Sequence, residues 1–266
     1  MGSHARIGGR HLRVGGLVGS GRTADVYALE HGGEGEPDGG AWVLRRYRDS
    51  RGDASRAADV MAYVRDHGYP VPRVQTAASR TDLVMERLTG PTLVGAMTEG
   101  VLTPAEAGAS LARLLCALHT IPARLSTDPG VRVLHLDLHP DNVLLTPAGP
   151  MVIDWDDTEE GPPGLDWSMS AVILAQIAVA EGDPRAAPVR EVLAALLAGC
   201  PDPALLTGPI GRKGRTGQKG STGGRGELGR ARERRAANPT MSRTELELLG
   251  DAEELIRELL AGREDF

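Results

Sequence analysis

The chain concentrates its chemistry between Val133 and Asp157, in VLHLDLHPDNVLLTPAGPMVIDWDD. Two aliphatic runs, Val143 to Leu145 and Met151 to Ile153, flank Pro147-Ala148-Gly149. Short apolar runs joined by a Pro/Gly connection read as a β-hairpin. Polar side chains crowd both of its ends: His135, Asp137, His139, Asp141 and Asn142 before it, Asp154, Asp156 and Asp157 after it. A hairpin brings its ends together, so Asn142 and Asp154 are expected to face one spot, with Asp137 just before it. Oxygen donors of this kind are hard ligands and suit Mg²⁺ better than a soft metal.

The spacing H-x-D-x-x-x-x-N at His135, Asp137 and Asn142, followed by a hairpin that leads to Asp154, resembles the catalytic core of protein-kinase-like phosphotransferases. Its wording, HLDLHPDN and VIDWDD, is similar to the aminoglycoside phosphotransferase and small-molecule kinase family. Protein kinases usually carry Arg where this chain has Leu136, and Phe-Gly where it has Trp155-Asp156. Many family members carry Gly where this chain has Asp141, which sets a third carboxylate beside the metal residues. The resemblance implies ATP as phosphoryl donor, with Asp137 accepting or orienting the proton of an acceptor hydroxyl. It also implies Asn142 and Asp154 as Mg²⁺ ligands, and His135 as a prop for the loop. Phosphoryl transfer asks mainly for positioning and charge neutralisation, which such residues can supply.

The elements that must position this stretch follow in chain order. Leu12 to Leu29 reads as two strands around Gly19-Ser20-Gly21, a turn whose backbone N–H groups can approach phosphates. It resembles a Gly-rich nucleotide loop, with Val26 over the adenine. His31 to Gly40 is a loop by composition. The strand Ala41 to Tyr47 holds Arg45 where kinases place a phosphate-binding Lys; Arg keeps the charge and can bind bidentately. Ala54 to His67 is an amphipathic helix with Ala57, Val60, Met61 and Val64 inward, and Asp59 falls where the resemblance puts the acid that pairs with the strand cation. Leu83 to Leu93 resembles the hinge between lobes, where main chain around Glu86 and Leu88 would bind adenine. Thr103 to Glu106 is a capping box with Pro at N1, opening a helix to His119. Asp166 caps the next helix or ties down the catalytic loop. Trp167 to Ala180 and Arg185 to Ala198 are apolar helices. Residues 207–230 are Gly-rich and basic with little apolar content, so a disordered insertion is expected there. A second capping box at Ser242 to Glu245 opens a last helix through Leu260.

With 266 residues, 41% of them hydrophobic and 25% charged, the chain can build a sizeable core. Only 3% are aromatic, so Leu, Val and Ala must fill it. A formal charge of -6 argues against nucleic acid and weakly suits a cationic substrate. Cys116 and Cys200 make no disulfide framework, and Cys116, inside LARLLCALH, reads as a buried small hydrophobe. The start lacks an apolar signal segment and no run is long enough to span a bilayer, which points to the cytoplasm.

The resulting expectation is an α+β, protein-kinase-like fold in two lobes. Residues 1–88 form an N-lobe with a small antiparallel sheet and one helix; residues 89–266 form a mainly helical C-lobe. Its function would be to move the γ-phosphoryl group of ATP to a hydroxyl of a small molecule, an aminoglycoside or another cationic metabolite. The acidic run Asp156, Asp157, Glu159 and Glu160 is the hint about acceptor charge. Arg45 and Asp59 keep a nucleotide-binding regulatory pseudokinase open, and a protein kinase is a third reading, although the span from Asp154 to Asp166 lacks the usual Ala-Pro-Glu anchor.

Overall fold

The computed structural model describes residues 4–7, 10–21, 23–31, 42–48, 53–208 and 226–262. Most of the expected loop at 31–40 and the middle of the expected insertion lie outside the described residues. The chain divides into two compact units. One combines Met1–Thr92 with Val143–Thr158, the other Leu93–Asn142 with Glu159–Phe266. The hairpin 143–152 groups with the N-terminal unit, whereas the expected division runs in sequence order at residue 88.

The first unit is an antiparallel sheet with one helix. Its strands are β1 (His4–Ile7), β2 (Arg10–Ser20), β3 (Ala24–His31), β4 (Trp42–Tyr47), β5 (Val74–Ser79) and β6 (Asp82–Glu86), in the order β1-β2-β3-β4-β6-β5. Leu29, Leu44 and Val84 form a buried cluster across β3, β4 and β6. Helix α1 (Ala54–Asp66) starts where the Asp53 side chain accepts the Arg56 N–H, and it buries the expected Ala57, Val60, Met61 and Val64. The hairpin forms as expected: β8 (Val143–Thr146) pairs with β9 (Gly149–Val152), from Val143↔Val152 to Thr146↔Gly149. Two main-chain bonds dock it, Leu145 N–H to Pro91 O and Val152 N–H to Pro70 O, both 2.8 Å.

The second unit is mainly helical: α2 (Leu93–Thr98), α3 (Pro104–Leu118), α4 (Pro163–Ala178), α5 (Ala186–Ala198), α6 (Ala204–Thr207), α7 (Glu227–Ala236), α8 (Arg243–Glu247) and α9 (Leu249–Ala261). A short pair, β7 (Arg132–Leu134) with β10 (Glu159–Gly161), borders the catalytic loop. Both capping boxes form, at Thr103 and Ser242. Helix α4 is buried almost all round, as its unbroken apolar sequence requires. It packs on α5, α7 and α9. No helix among the described residues is long and apolar enough to cross a membrane.

Three expectations need correction. The segment 207–230 is not wholly an insertion: Thr207 ends α6, and Glu227, Leu228 and Gly229 open α7 in buried positions. Composition averaged over a Gly/Arg-rich stretch hides the Leu228 and Ala231 pair that seats this helix. The last helix breaks at Leu248 into α8 and α9. Cys116 is exposed, because the buried face of α3 is set by Leu111, Leu114, Leu115 and Leu118, and residue 116 falls outside that helical repeat.

Gly108 marks the close approach of α3 to α5, where an added Cβ would lie 2.3 Å from the Val192 carbonyl oxygen and 2.7 Å from Ala195 Cβ. Gly108→Ala is expected to lower stability by ~1–3 kcal/mol despite its better helix propensity, because both neighbours are fixed by their helix. Thermal unfolding checks this. At about 2–4 °C per kcal/mol for a chain of this size, an unchanged or raised Tm would show that the helices part freely.

Candidate active site

The catalytic loop of the second unit is built on one buried carboxylate. Asp166, in the first turn of α4 and 0% exposed, accepts the main-chain N–H of His135 at 2.9 Å and of Leu136 at 2.7 Å. His119 Nε2 meets the same carboxylate at 3.0 Å. The N-cap of α4 is Pro162, so Asp166 ties down the loop rather than capping the helix. Leu136 takes a φ of 65°, a left-handed conformation unusual for Leu, and it is buried with Leu138. These two leucines anchor a loop whose alternate residues, Asp137 and His139, remain partly exposed. His135 is fully buried, and its Nδ1 accepts the Asp137 N–H at 3.3 Å, the propping role expected of it.

Asn142 turns its Nδ2 toward the Asp137 carbonyl at 2.9 Å and the Asp137 carboxylate at 3.0 Å. This leaves the carboxamide oxygen as its remaining ligand atom. His139 Nε2 lies 3.6 Å from Asp137 Oδ2. Burial pushes the Asp137 carboxyl up, but the hydrogen bond and charge of His139, with His135 and Arg235 further off, hold it below the usual carboxylate range. Asp137 is therefore ionised and oriented.

In the first unit the site residues gather around Arg45. Asp154 follows β9 with a φ of 65°, a conformation Asp tolerates better than most residues. The neighbouring Trp155 is buried, donates Nε1–H to Val152 O at 3.1 Å and stacks edge-on against Tyr69. Arg45, 8% exposed, donates from Nη2 to Asp154 Oδ1 at 2.7 Å. It also grips Asp156 with both Nη atoms, each at 2.6 Å. Burial lowers the guanidinium's basicity, and Asp154 and Asp156 more than restore it. The expected partner, Asp59, lies exposed on α1 instead. The cation is held instead by the carboxylates Asp154 and Asp156 beyond the hairpin, from a strand whose register sets Arg45 between Val26 and Leu83.

The Gly-rich turn contains a clamp that the sequence did not reveal. Gly19 and Ser20 pair with Val26 and Asp25 across β2 and β3. Arg48 donates to Gly21 O at 2.8 Å, Ser20 Oγ at 2.6 Å and Asp25 Oδ1 at 2.5 Å. An Arg just past a strand end gives no periodic signal, so only the fold identifies it. In the expected hinge, the Glu86 carboxylate accepts the Arg73 N–H at 3.1 Å and lies near the Arg73 guanidinium, so its side chain is occupied. Leu88 is half-buried just beyond β6. Three of the four acids in the run are also occupied: Asp156 by Arg45, Glu159 by Arg234 at 2.8 Å, and Glu160 by the N–H groups of Arg124, Leu125 and Ser126. Asp157, the fourth, is exposed.

The profile of a family described as the phosphotransferase enzyme family (APH) matches residues 16–132 and 121–206. The chain belongs to that family. Its fold is also that of a kinase complex, "Amicoumacin kinase hAmiN in complex with AMP-PNP, Ca2+ and Ami", with a TM-score of 0.52 at 14% identity over 91% of this chain and 87% of that one. An ADP-bound aminoglycoside phosphotransferase APH(2'')-Ib gives a TM-score of 0.48 at 13% identity over 93% and 95% of the two chains. A search of curated protein sequences gave no match. The protein is thus a phosphotransferase with an α+β, protein-kinase-like fold.

Asp166→Asn should cost about 3 kcal/mol or more at neutral pH, since an amide cannot accept on both sides from the fixed N–H groups and His119. Burial raises the Asp166 carboxyl and the His119 and His135 contacts outweigh it, so the folded value lies below the ordinary one. Its stabilisation is then fully present above the unfolded value of about 4 and is lost as pH falls through the lower folded value. Urea unfolding of both proteins should show the gap narrowing on acidification. A gap that stays constant into strong acid would deny the carboxylate this role.

Proposed function

We propose that this phosphotransferase moves the γ-phosphoryl group of ATP to a hydroxyl of a small molecule, in the cytoplasm. The observation that carries the reading is the Asp137 carboxylate, held by Asn142 on a loop fixed by Asp166. An oriented carboxylate that stays charged can accept a hydroxyl proton as the oxygen attacks phosphorus. Asn142 and Asp154 are assigned to Mg²⁺. Their hard oxygen donors fit it, and no group of three or more His, Cys, Asp or Glu among the described residues could cage an ion alone. An ion that completes its shell with phosphate oxygens and water suits such a set. When bound, Mg²⁺ neutralises charge on the phosphates. Arg45 is assigned to the phosphates, Gly19, Ser20 and Gly21 to main-chain contacts with them, and Val26 with the main chain at Glu86 and Leu88 to adenine.

The acceptor is identified by its hydroxyl. Of the acidic run, Asp156 and Glu159 are paired with arginines while Asp157 is exposed, and an aminoglycoside or other cationic metabolite is the acceptor class proposed. The deciding experiment measures ADP release from Mg-ATP across aminoglycosides, other antibiotics, choline-like amines and sugars. Stimulation by one small-molecule class is expected. Phosphate appearing on a protein acceptor, or nucleotide binding with no turnover by any acceptor, would favour the protein-kinase or pseudokinase reading.

Asp137→Asn should lower kcat by roughly 10²-fold or more while nucleotide affinity stays near that of the parent, because Asp137 serves the acceptor hydroxyl. Turnover close to the parent would remove it from that role. Asp154→Ala should abolish the dependence of nucleotide affinity on Mg²⁺, since Asn142 is a neutral ligand. Calorimetry with ATP, with and without Mg²⁺, reads this directly. An intact Mg²⁺ effect in the variant would assign the ion elsewhere.

A further inference from the structure

The sequence supplies Arg45 as the strand cation but no helix acid that meets it, since Asp59 lies exposed. A long buried cation needs a partner that fixes its direction. Asp156 has the geometry of one. Both of its oxygens are bound by Arg45, from Nη1 and Nη2 at 2.6 Å each, which is the fork arrangement that constrains a guanidinium in plane and angle. Asp156 is itself fixed: the Tyr47 hydroxyl donates to Oδ1 at 2.5 Å, and Thr23 Oγ1 lies 3.5 Å from Oδ2. The guanidinium also sits over the Tyr47 ring, 4.9 Å from its centroid. Burial keeps the Tyr47 phenol protonated and therefore a donor.

Asp154 is held differently. It shares one oxygen with Nη2 at 2.7 Å and is more exposed, 37% against 24% for the Asp156 side chain. One carboxylate thus anchors Arg45 through two bonds, and the other touches it through one. We propose that Asp156, braced by Tyr47, is the positioning residue that aims Arg45, doing from beyond the hairpin what the helix acid does in the resemblance. The Arg45 edge on Asp154 is the exchangeable one. Replacing that single contact with a nucleotide phosphate oxygen leaves the Asp156 fork intact. This inference rests on the proposed role of Arg45 in phosphate binding, and its test is built so that the two fail separately.

The full chain is used, with the variants Asp156→Asn, Asp156→Glu, Tyr47→Phe, Arg45→Ala, Asp59→Asn, Arg45→Ala/Asp156→Asn and Arg45→Ala/Asp59→Asn. Calorimetry measures Mg-ADP affinity. Phenylglyoxal labelling, read by peptide mass spectrometry, measures how accessible the Arg45 guanidinium is. Asp156→Asn should weaken Mg-ADP by about tenfold, with partial recovery in Asp156→Glu and a loss of about threefold in Tyr47→Phe. The double variant should bind about as weakly as Arg45→Ala alone, because a residue that acts through Arg45 has nothing left to aim. Asp59→Asn combined with Arg45→Ala should instead show independent effects. Arg45 should label several-fold faster in Asp156→Asn and in Tyr47→Phe than in the parent. Mg-ADP affinity unchanged in Asp156→Asn, or losses that multiply in the double variant, would overturn the proposal. So would labelling of Arg45 at the parent rate, and Tyr47→Phe supplies that readout if Asp156→Asn does not fold. A parent that binds no Mg-ADP would defeat the phosphotransfer reading, while labelling would still decide whether Asp156 directs Arg45.

Discussion

The catalytic loop depends on a single carboxylate with no access to water. Asp166 could not remain charged at full burial without compensation. It has two main-chain N–H groups and a histidine ring. Those donors come from the C-cap of α3 and from the turn that precedes Asp137, so satisfying Asp166 also fixes where the turn sits. The left-handed φ of Leu136 is unfavourable by itself, and its N–H bond to Asp166 with its buried side chain holds it there. A buried ion of this kind contributes specificity more clearly than net stability: a loop with one end misplaced would leave the charge uncompensated.

Arg45 poses the mirror problem in the other unit. It is a buried cation that faces two carboxylates, so the cluster of three carries a net negative charge. Arginine suits this position where lysine would not. Its fork can bind both oxygens of Asp156 and still present a hydrogen to Asp154, whereas an ammonium is a point donor. The surplus negative charge is the electrostatic ground for the proposal that sets a divalent cation beside Asp154.

Much of this was legible in the sequence because it is local. The hairpin announces itself through two aliphatic runs and a Pro/Gly turn, the helices through capping boxes and a 3.6-residue repeat, and the loop through polar residues alternating with Leu136 and Leu138. The pairing of Arg45 was not legible. Asp59 lies close in sequence and at the position the resemblance suggests, but the partner that won, Asp156, is distant along the chain. Nothing in the periodicity of β4 tells which carboxylate reaches its buried Arg. Arg48 escaped for a similar reason, since a residue at a strand end shows no face. The start of α7 was lost because glycine and arginine dominate the composition around it, while its docking needs only Leu228 and Ala231.

The acidic run shows why charge counted along a sequence is a poor guide to a ligand. Four acids within a few residues suggest a surface field that would attract a cation. Folding assigns Asp156 to a guanidinium, Glu159 to Arg234 on α7, and Glu160 to three main-chain N–H groups of one loop. The two guanidinium contacts turn a charge into a dipole at a distance, with screening within roughly 10 Å, whereas Glu160 on neutral N–H groups keeps its charge and Asp157 is exposed. What remains around Asp137 is mixed in sign: the carboxylate itself, the exposed Asp141 and the nearby Arg235. Charge read along a sequence therefore has to be discounted pair by pair before it says anything about a ligand.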